Sequence, residues 1–213
     1  MLEIAHMPDI ANIPKLAKHA LIGSCQRLPI SFDAIRLVSE FHTIDASLWG
    51  SRGGRVGVHV QAEAIFLRGY APREGDMPIV DRDVTAALPF TMQLIRQLLK
   101  AQPMRCLFAK ILPNGEVPIH TDNGEYFEKT IRIHIPIVTN TQAVMIAGGQ
   151  SFHMRVGEVW ALNNSGTHGV LNQHETLART HLICDYLPSD NLLSLLARGE
   201  RNLGVTVPQA NPT

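Results

Sequence analysis

From residue 104 to residue 187 the chain runs in short alternating apolar segments, each closed by turn residues, and no helical periodicity interrupts them. Residues 105–112 lead to Pro113-Asn114-Gly115, a turn whose glycine is free to take positive φ. Residues 143–147 form another apolar run ending at Gly148-Gly149, and residues 152–164 read as two strands around a tight turn at Gly157. Seven or eight such strands, with no helices between them, predict an antiparallel barrel or jelly roll. Alternation also sorts side chains by face. In residues 130–137, Arg132 and His134 share one side, while Ile131, Ile133 and Ile135 take the other. Residues 178–185 repeat the pattern, with Arg179 and His181 opposite Leu182 and Cys184.

On the segment Ile119-His120-Thr121-Asp122, a histidine and an aspartate two residues apart project to one side and can reach one metal ion. His168 follows the turn Ser165-Gly166-Thr167. Two imidazoles and one carboxylate, with open positions left, make the facial triad that suits iron(II) and dioxygen. On spacing alone the same residues also read as a hydrogen-bonded barrel histidine, a turn acid and a loop histidine. Two arginine-x-histidine pairs on inner strands weigh for the site, because a guanidinium turned away from water needs an anionic partner. They suit a dicarboxylate held beside a metal. His134 and His181 read either as fixing ligand orientation or as hydrogen-bonded within the barrel.

The order HTDN, YFEKTIRIHIPIVTN, FHMRVGEVWALNN, THGV, ARTHLICDY resembles the aspartyl/asparaginyl β-hydroxylase family, and within it the bacterial proline-hydroxylase branch. The resemblance covers roughly residues 104–187. It implies a double-stranded β-helix (jelly-roll, cupin-like) and an Fe(II)- and 2-oxoglutarate-dependent dioxygenase releasing succinate and CO2. It implies His120, Asp122 and His168 as iron ligands, and Arg179 as the clamp on the distal carboxylate of 2-oxoglutarate. Arg132 and His134 match positions near cosubstrate and substrate. The interval from His168 to Arg179 is one residue longer than the family's, and the extra residue is assigned to the loop at 172–176. A carboxylate at Asp122 favours hydroxylation over halogenation, which needs that position free for a halide. The substrate expected is an amino acid, free or within a peptide. The rival reading is a non-enzymatic cupin-like protein whose barrel metal is structural or senses a ligand.

Around this core, residues 1–103 read as an elaboration packing on it and residues 188–213 as a short helix and tail, one structural domain overall. Residues 13–20 have helical spacing, with Lys15, Lys18 and His19 on the outward face. Residues 32–43 alternate like a strand. The glycine-rich stretch 48–57 lacks the ending of a phosphate loop and reads as a hairpin loop or a lid closing on substrate. Its Trp49, Arg52 and Arg55 are candidate substrate contacts, as is His59 on a following strand at 58–68. Residues 84–100 carry the clearest helical stripe, and Ser189 or Asp190 caps a last helix before a fraying end at 205–213.

Nineteen basic residues balance nineteen acidic ones, so neither nucleic acid nor a membrane surface is an expected partner. No apolar run approaches the ~20 residues that span a bilayer. Three scattered cysteines without a CxxC argue against a disulfide framework and against structural zinc, and fit a reducing cytoplasm. No signal peptide is expected from the first residues.

Overall fold

The computed structural model describes residues 10–53, 57–71, 74 and 77–206. Its strands are β1 (Cys25–Arg27), β2 (Gly50–Ser51), β3 (Ala62–Arg68), β4 (Pro103–Ile111), β5 (Gly115–His120), β6 (Ile131–Val138), β7 (Ala143–Ala147), β8 (Gln150–Phe152), β9 (Trp160–Leu162), β10 (His168–Asn172), β11 (Arg179–Tyr186) and β12 (Val205–Thr206). Its α-helices are α1 (Lys18–Ile22), α2 (Ala34–Phe41), α3 (Pro89–Gln97), α4 (Glu125–Lys129) and α5 (Asp190–Ala197). The strands form two antiparallel sheets, β1-β9-β6-β11-β4-β3-β2 and β12-β8-β7-β10-β5. This is the jelly roll that the alternation predicts, in the double-stranded β-helix form that the family resemblance implies.

Each strand of the larger sheet separates two environments. Ile131, Ile133, Ile135, Leu182, Cys184 and Phe108 face out beneath α2, α3 and α5, in one apolar cluster with Leu37, Ile95 and Leu195. Alternate positions face the smaller sheet. There Val117, Met145, Leu162 and Val170 form a second apolar cluster, and Arg132, His134, Arg179, His181 and Asp185 are buried polar groups. Burying an apolar side chain contributes about 1.5–3 kcal/mol, so a one-residue slip of β6 or β11 would forfeit several such terms and bury nothing in return.

The structure corrects several local expectations. Residues 32–43 hold helix α2, not a strand. Asp33 accepts a hydrogen bond from the Arg36 amide and caps it, and Leu37 sits fully buried. Glu40 from α2 then accepts from the amides of Phe90 and Thr91, capping α3 from outside. The helix expected over 84–100 is a 3-10 turn (Asp83–Ala87) followed by α3, because Pro89 has no N–H to donate and occupies the first helical position. The N-terminal helix begins at Lys18, and the strand expected from residue 58 begins at Ala62. A short helix, α4, separates β5 from β6, where only strands and turns were expected. Val205–Thr206 pairs with β8 instead of fraying. Among the described residues, no helix is long and apolar enough to cross a membrane.

Candidate metal and anion site

Strands β5 and β10 lie side by side at one end of the smaller sheet, and their register sets His120 opposite His168. A bulge follows at Gly169, where a Cβ would lie 2.7 Å from the Val117 carbonyl oxygen, so only glycine lets the strands approach. Just past the end of β5, the Asp122 amide donates to the Asn164 carbonyl (3.0 Å), which ties this segment to the β9–β10 connection. The ligand atoms of His120, Asp122 and His168 all lie within 4.8 Å of one another.

The chemistry of these donors suits a cation. His120 Nδ1 lies 2.8 Å from the Pro118 carbonyl oxygen, and His168 Nδ1 lies 3.0 Å from that of Gly166. A carbonyl only accepts, so each Nδ1 carries the proton and each Nε2 presents a bare lone pair. Those Nε2 atoms stand 3.6 and 3.9 Å from the Asp122 carboxylate. Two bare nitrogens and an anion repel unless a positive ion lies between them. Burial pushes the His168 imidazole down to about 4, so His168 stays neutral near pH 7.

A network holds the Asp122 carboxylate in place. Asp122 Oδ2 accepts from Arg132 and from Asn164 Nδ2 (3.1 Å) and lies 3.9 Å from His168 Nε2, while Oδ1 turns to His120 at 3.6 Å. Burial works to raise the Asp122 carboxyl, but Arg132 leads the groups that hold it below the ordinary range. Arg132 is in turn gripped by Asp185, its cross-strand neighbour on β11, through Nε (2.8 Å) and Nη2 (3.0 Å). Tyr126 donates to the same Asp185 carboxylate (3.2 Å). The anionic partners that Arg132 needs are therefore the protein's own acids. It braces Asp122 as well as lining the cavity walls.

Arg179 stands differently. It is buried, at 3% exposure, and its guanidinium donates to His181 Nδ1 (2.9 Å) rather than to an acid. No carboxylate pairs with it among the described residues. Burial first, then the charge of Arg52, pushes it down to about 9. It lines a cavity together with His120, His168, His134, Arg52 and Met145. A buried guanidinium propped by a neutral group keeps its charge for an incoming anion.

His134 and His181 complete this floor. Their Nδ1 atoms lie 3.4 Å apart, and both Nε2 atoms are buried without a partner. Burial, then the neighbouring Arg179, holds both imidazoles well below the usual histidine range. They stay neutral in the fold, whereas in the unfolded chain they take protons near pH 6.5. The stability they contribute is complete above that pH and is lost as pH falls beneath it. The slope approaches about 1.4 kcal/mol per pH unit for each histidine. Urea unfolding between pH 7 and pH 5 checks this, and His181→Gln, which removes one titrating group, is expected to flatten the dependence.

A second cavity opens beside Asp122, walled by Arg52, His59, Phe66, Arg105 and Phe127. His59 meets His120 edge-on at 5.6 Å, and its buried Nδ1 has no partner among the described residues. Burial, then Arg52, pushes it down to about 3. Arg105 lies 4.2 Å from the centre of the Tyr126 ring and 5.2 Å from that of Phe127. Of the candidate substrate contacts, Arg52 and His59 reach this cavity, and Arg55 lies outside the described residues. Trp49 does not reach it. It packs on Phe41 and under Lys110 with the helix-covered apolar cluster, on the opposite side of the larger sheet.

Four residues of the site escaped the sequence reading. Asp185 shares the inward phase of Arg179 and His181, a signal present in the alternation itself. Asn164 stands in the GEVWALNN segment without a sign of its role. Arg105 opens β4 with no motif around it. Lys18, expected on an outward face, is 4% exposed and donates to Asn164 Oδ1 at 2.6 Å.

With this geometry in place, three comparisons bear on the chain. The family model described as aspartyl/asparaginyl beta-hydroxylase matches residues 74–188, just over half of the chain. The L-proline cis-4-hydroxylase of Rhizobium meliloti (strain 1021) is 21% identical over 164 residues, covering 74% of this chain; the chain spans 58% of the length of that relative. An oxidoreductase of the 2OG-Fe(II) oxygenase family from Burkholderia pseudomallei superposes with a TM-score of 0.54 at 15% identity, covering 80% of this chain and 88% of the other. The non-heme alpha ketoglutarate dependent epimerase SnoN from nogalamycin biosynthesis gives 0.50 at 12% identity, covering 80% of each. These two structures share the fold.

Proposed function

Because the chain belongs to the aspartyl/asparaginyl β-hydroxylase family, we propose that it is an Fe(II)- and 2-oxoglutarate-dependent dioxygenase that hydroxylates an amino acid. The convergence of two imidazole nitrogens and the Asp122 carboxylate carries this reading. His120, Asp122 and His168 would hold the iron on one face, leaving the opposite positions open. Iron with 2-oxoglutarate supplies the activation of dioxygen, placing one oxygen atom in a C–H bond and the other in succinate, with loss of CO2. The residues of the chain bind, orient and exclude water around that chemistry. Arg179 offers its unspent charge to the far carboxylate of 2-oxoglutarate, and the buried His134 stands on the same cavity wall. Arg132 keeps Asp122 ionised and aimed.

The cavity beyond Asp122 fits the substrate. Arg52 and Arg105 have no acid partner among the described residues, whereas Asp122 and Asp185 are already paired with Arg132. Surplus positive charge between aromatic walls suits a small carboxylate-bearing molecule, and the kinship with a proline hydroxylase agrees. A free or peptidyl amino acid, modified in a reducing cytoplasm where the three buried thiols stay unpaired, is the reading these features support. A metal-binding protein without catalysis would have no use for a buried Arg179 that lacks an acid partner beside the triad.

Arg179→Met separates the two. It is expected to weaken 2-oxoglutarate binding by two to three orders of magnitude, about 3–4 kcal/mol, while leaving metal uptake intact. Anaerobic titration of the Fe(II)-loaded protein, followed by its visible absorption, reads both. Wild-type protein that takes up metal but not 2-oxoglutarate would sink the oxygenase reading. A panel of amino acids and short peptides, assayed for succinate and for a mass gain of one oxygen atom, identifies the substrate.

A further inference from the structure

A lysine whose ammonium group is buried needs a reason, since taking it from water costs several kcal/mol unless it is paired or hydrogen-bonded. Lys18 lies on α1, far before the residues that match the family model. Its side chain crosses to the β9–β10 connection and donates to Asn164 Oδ1 at 2.6 Å. Asn164 has two faces, an acceptor oxygen and a donor amide, and unassisted it can turn either toward a neighbour. Because Lys18 can only donate, the Asn164 oxygen must face it. The amide nitrogen is then the group that faces Asp122, where it donates to Oδ2 at 3.1 Å. With the amide turned round, an oxygen would confront the carboxylate and repel it.

We propose that Lys18 is a positioning residue for the metal centre: by fixing the orientation of the Asn164 side chain it keeps the amide donating to Asp122 Oδ2, which holds the carboxylate in place against His120 and His168. The inference rests on the reading of His120, Asp122 and His168 as metal ligands. Charge supports it, since Lys18 and Arg132 together balance Asp122 and Asp185 before any ion arrives. Burial lowers Lys18 to about 8, while the fields of Asp185 and Asp122 act to keep it charged. The N-terminal helix thereby becomes part of a site whose ligands all lie a hundred residues further on.

Co(II) titration of the apoprotein, followed by visible absorption and by the melting shift that Co(II) produces, tests this. Lys18→Met, similar in length and apolar, is expected to weaken Co(II) binding by about 10- to 100-fold and to change the absorption envelope. Lys18→Gln keeps an N–H donor and is expected to retain most of the affinity. Asn164→Leu should match Lys18→Met, and the double variant should be no worse than either, because both act through one contact. If Lys18→Met does not fold, Asn164→Leu carries the test, and unchanged Co(II) affinity in it overturns the proposal. Equal Co(II) affinity and an equal melting shift in wild type and Lys18→Met, or fully additive losses in the pair, would overturn the proposal and leave the metal reading intact. Wild-type protein that binds no Co(II) would overturn both.

Discussion

His168→Ala is expected to abolish succinate formation, lowering turnover by at least about three orders of magnitude, the scale on which loss of a group acting within a catalytic unit is felt. The fold should survive, because the imidazole contributes little to the apolar clusters on either side of the larger sheet. Removing it even relieves a repulsion between bare nitrogens when no ion is bound. The apoprotein is therefore expected to melt at or slightly above the wild-type temperature, while the stabilisation that Co(II) or Fe(II) gives the wild type disappears. Melting curves with and without metal, beside a succinate assay, check both halves. A variant that melts far below wild type without metal would mean that His168 is structural.

Asp185→Ala is expected to have the largest effect on stability, a loss of about 3–5 kcal/mol, as for one partner removed from a buried ion pair. Asp185 is 1% exposed and holds two of the nitrogens of Arg132. Without it a guanidinium remains buried with Asp122 as its remaining acid. Arg132 then draws harder on the carboxylate that should face the metal, so metal affinity falls along with stability. Urea unfolding measures the first effect and Co(II) titration the second. Asp185→Asn keeps an acceptor for one Arg132 nitrogen and is expected to lose roughly half as much. A loss under about 1 kcal/mol for Asp185→Ala would show that water compensates Arg132 and that the network is not dry.

The core of this protein was legible because strand alternation is a period-two signal that burial on both sides of a sheet reinforces. Residues 131–137 and 179–185 sort as read, with Ile131, Ile133, Ile135, Leu182 and Cys184 outward and the arginine-histidine pairs inward. The turn after β4 and the cap at Ser189 also stand where local chemistry put them, although Asn114 (φ +52°) and not Gly115 takes the positive φ. Misreadings came on short segments, where a few side chains fit more than one period. Residues 34–41 are rich in β-branched and aromatic side chains, yet Asp33 caps them and the apolar cluster takes Leu37 from a helix. Tertiary packing decided there. Lys18 shows the same limit in the site. A lysine on an amphipathic segment reads as solvated, and nothing nearby in the chain discloses an asparagine 146 positions away. Trp49 was misplaced for a related reason: a bulky residue beside a glycine-rich stretch suggests a lid, but its ring serves the packing of Phe41.

One last feature is the place of β5 at the border of its sheet, bonded to β10 on one side only. An unaccompanied border strand invites fraying and mispairing with other chains. Here the strand ends in His120, and its single companion begins with His168. An ion shared by the two would rivet the seam at the point where it is weakest. Iron supply would then govern how long such a protein lasts in the cell as well as whether it turns over, and amide exchange along residues 115–120 should slow on loading well before any substrate is added.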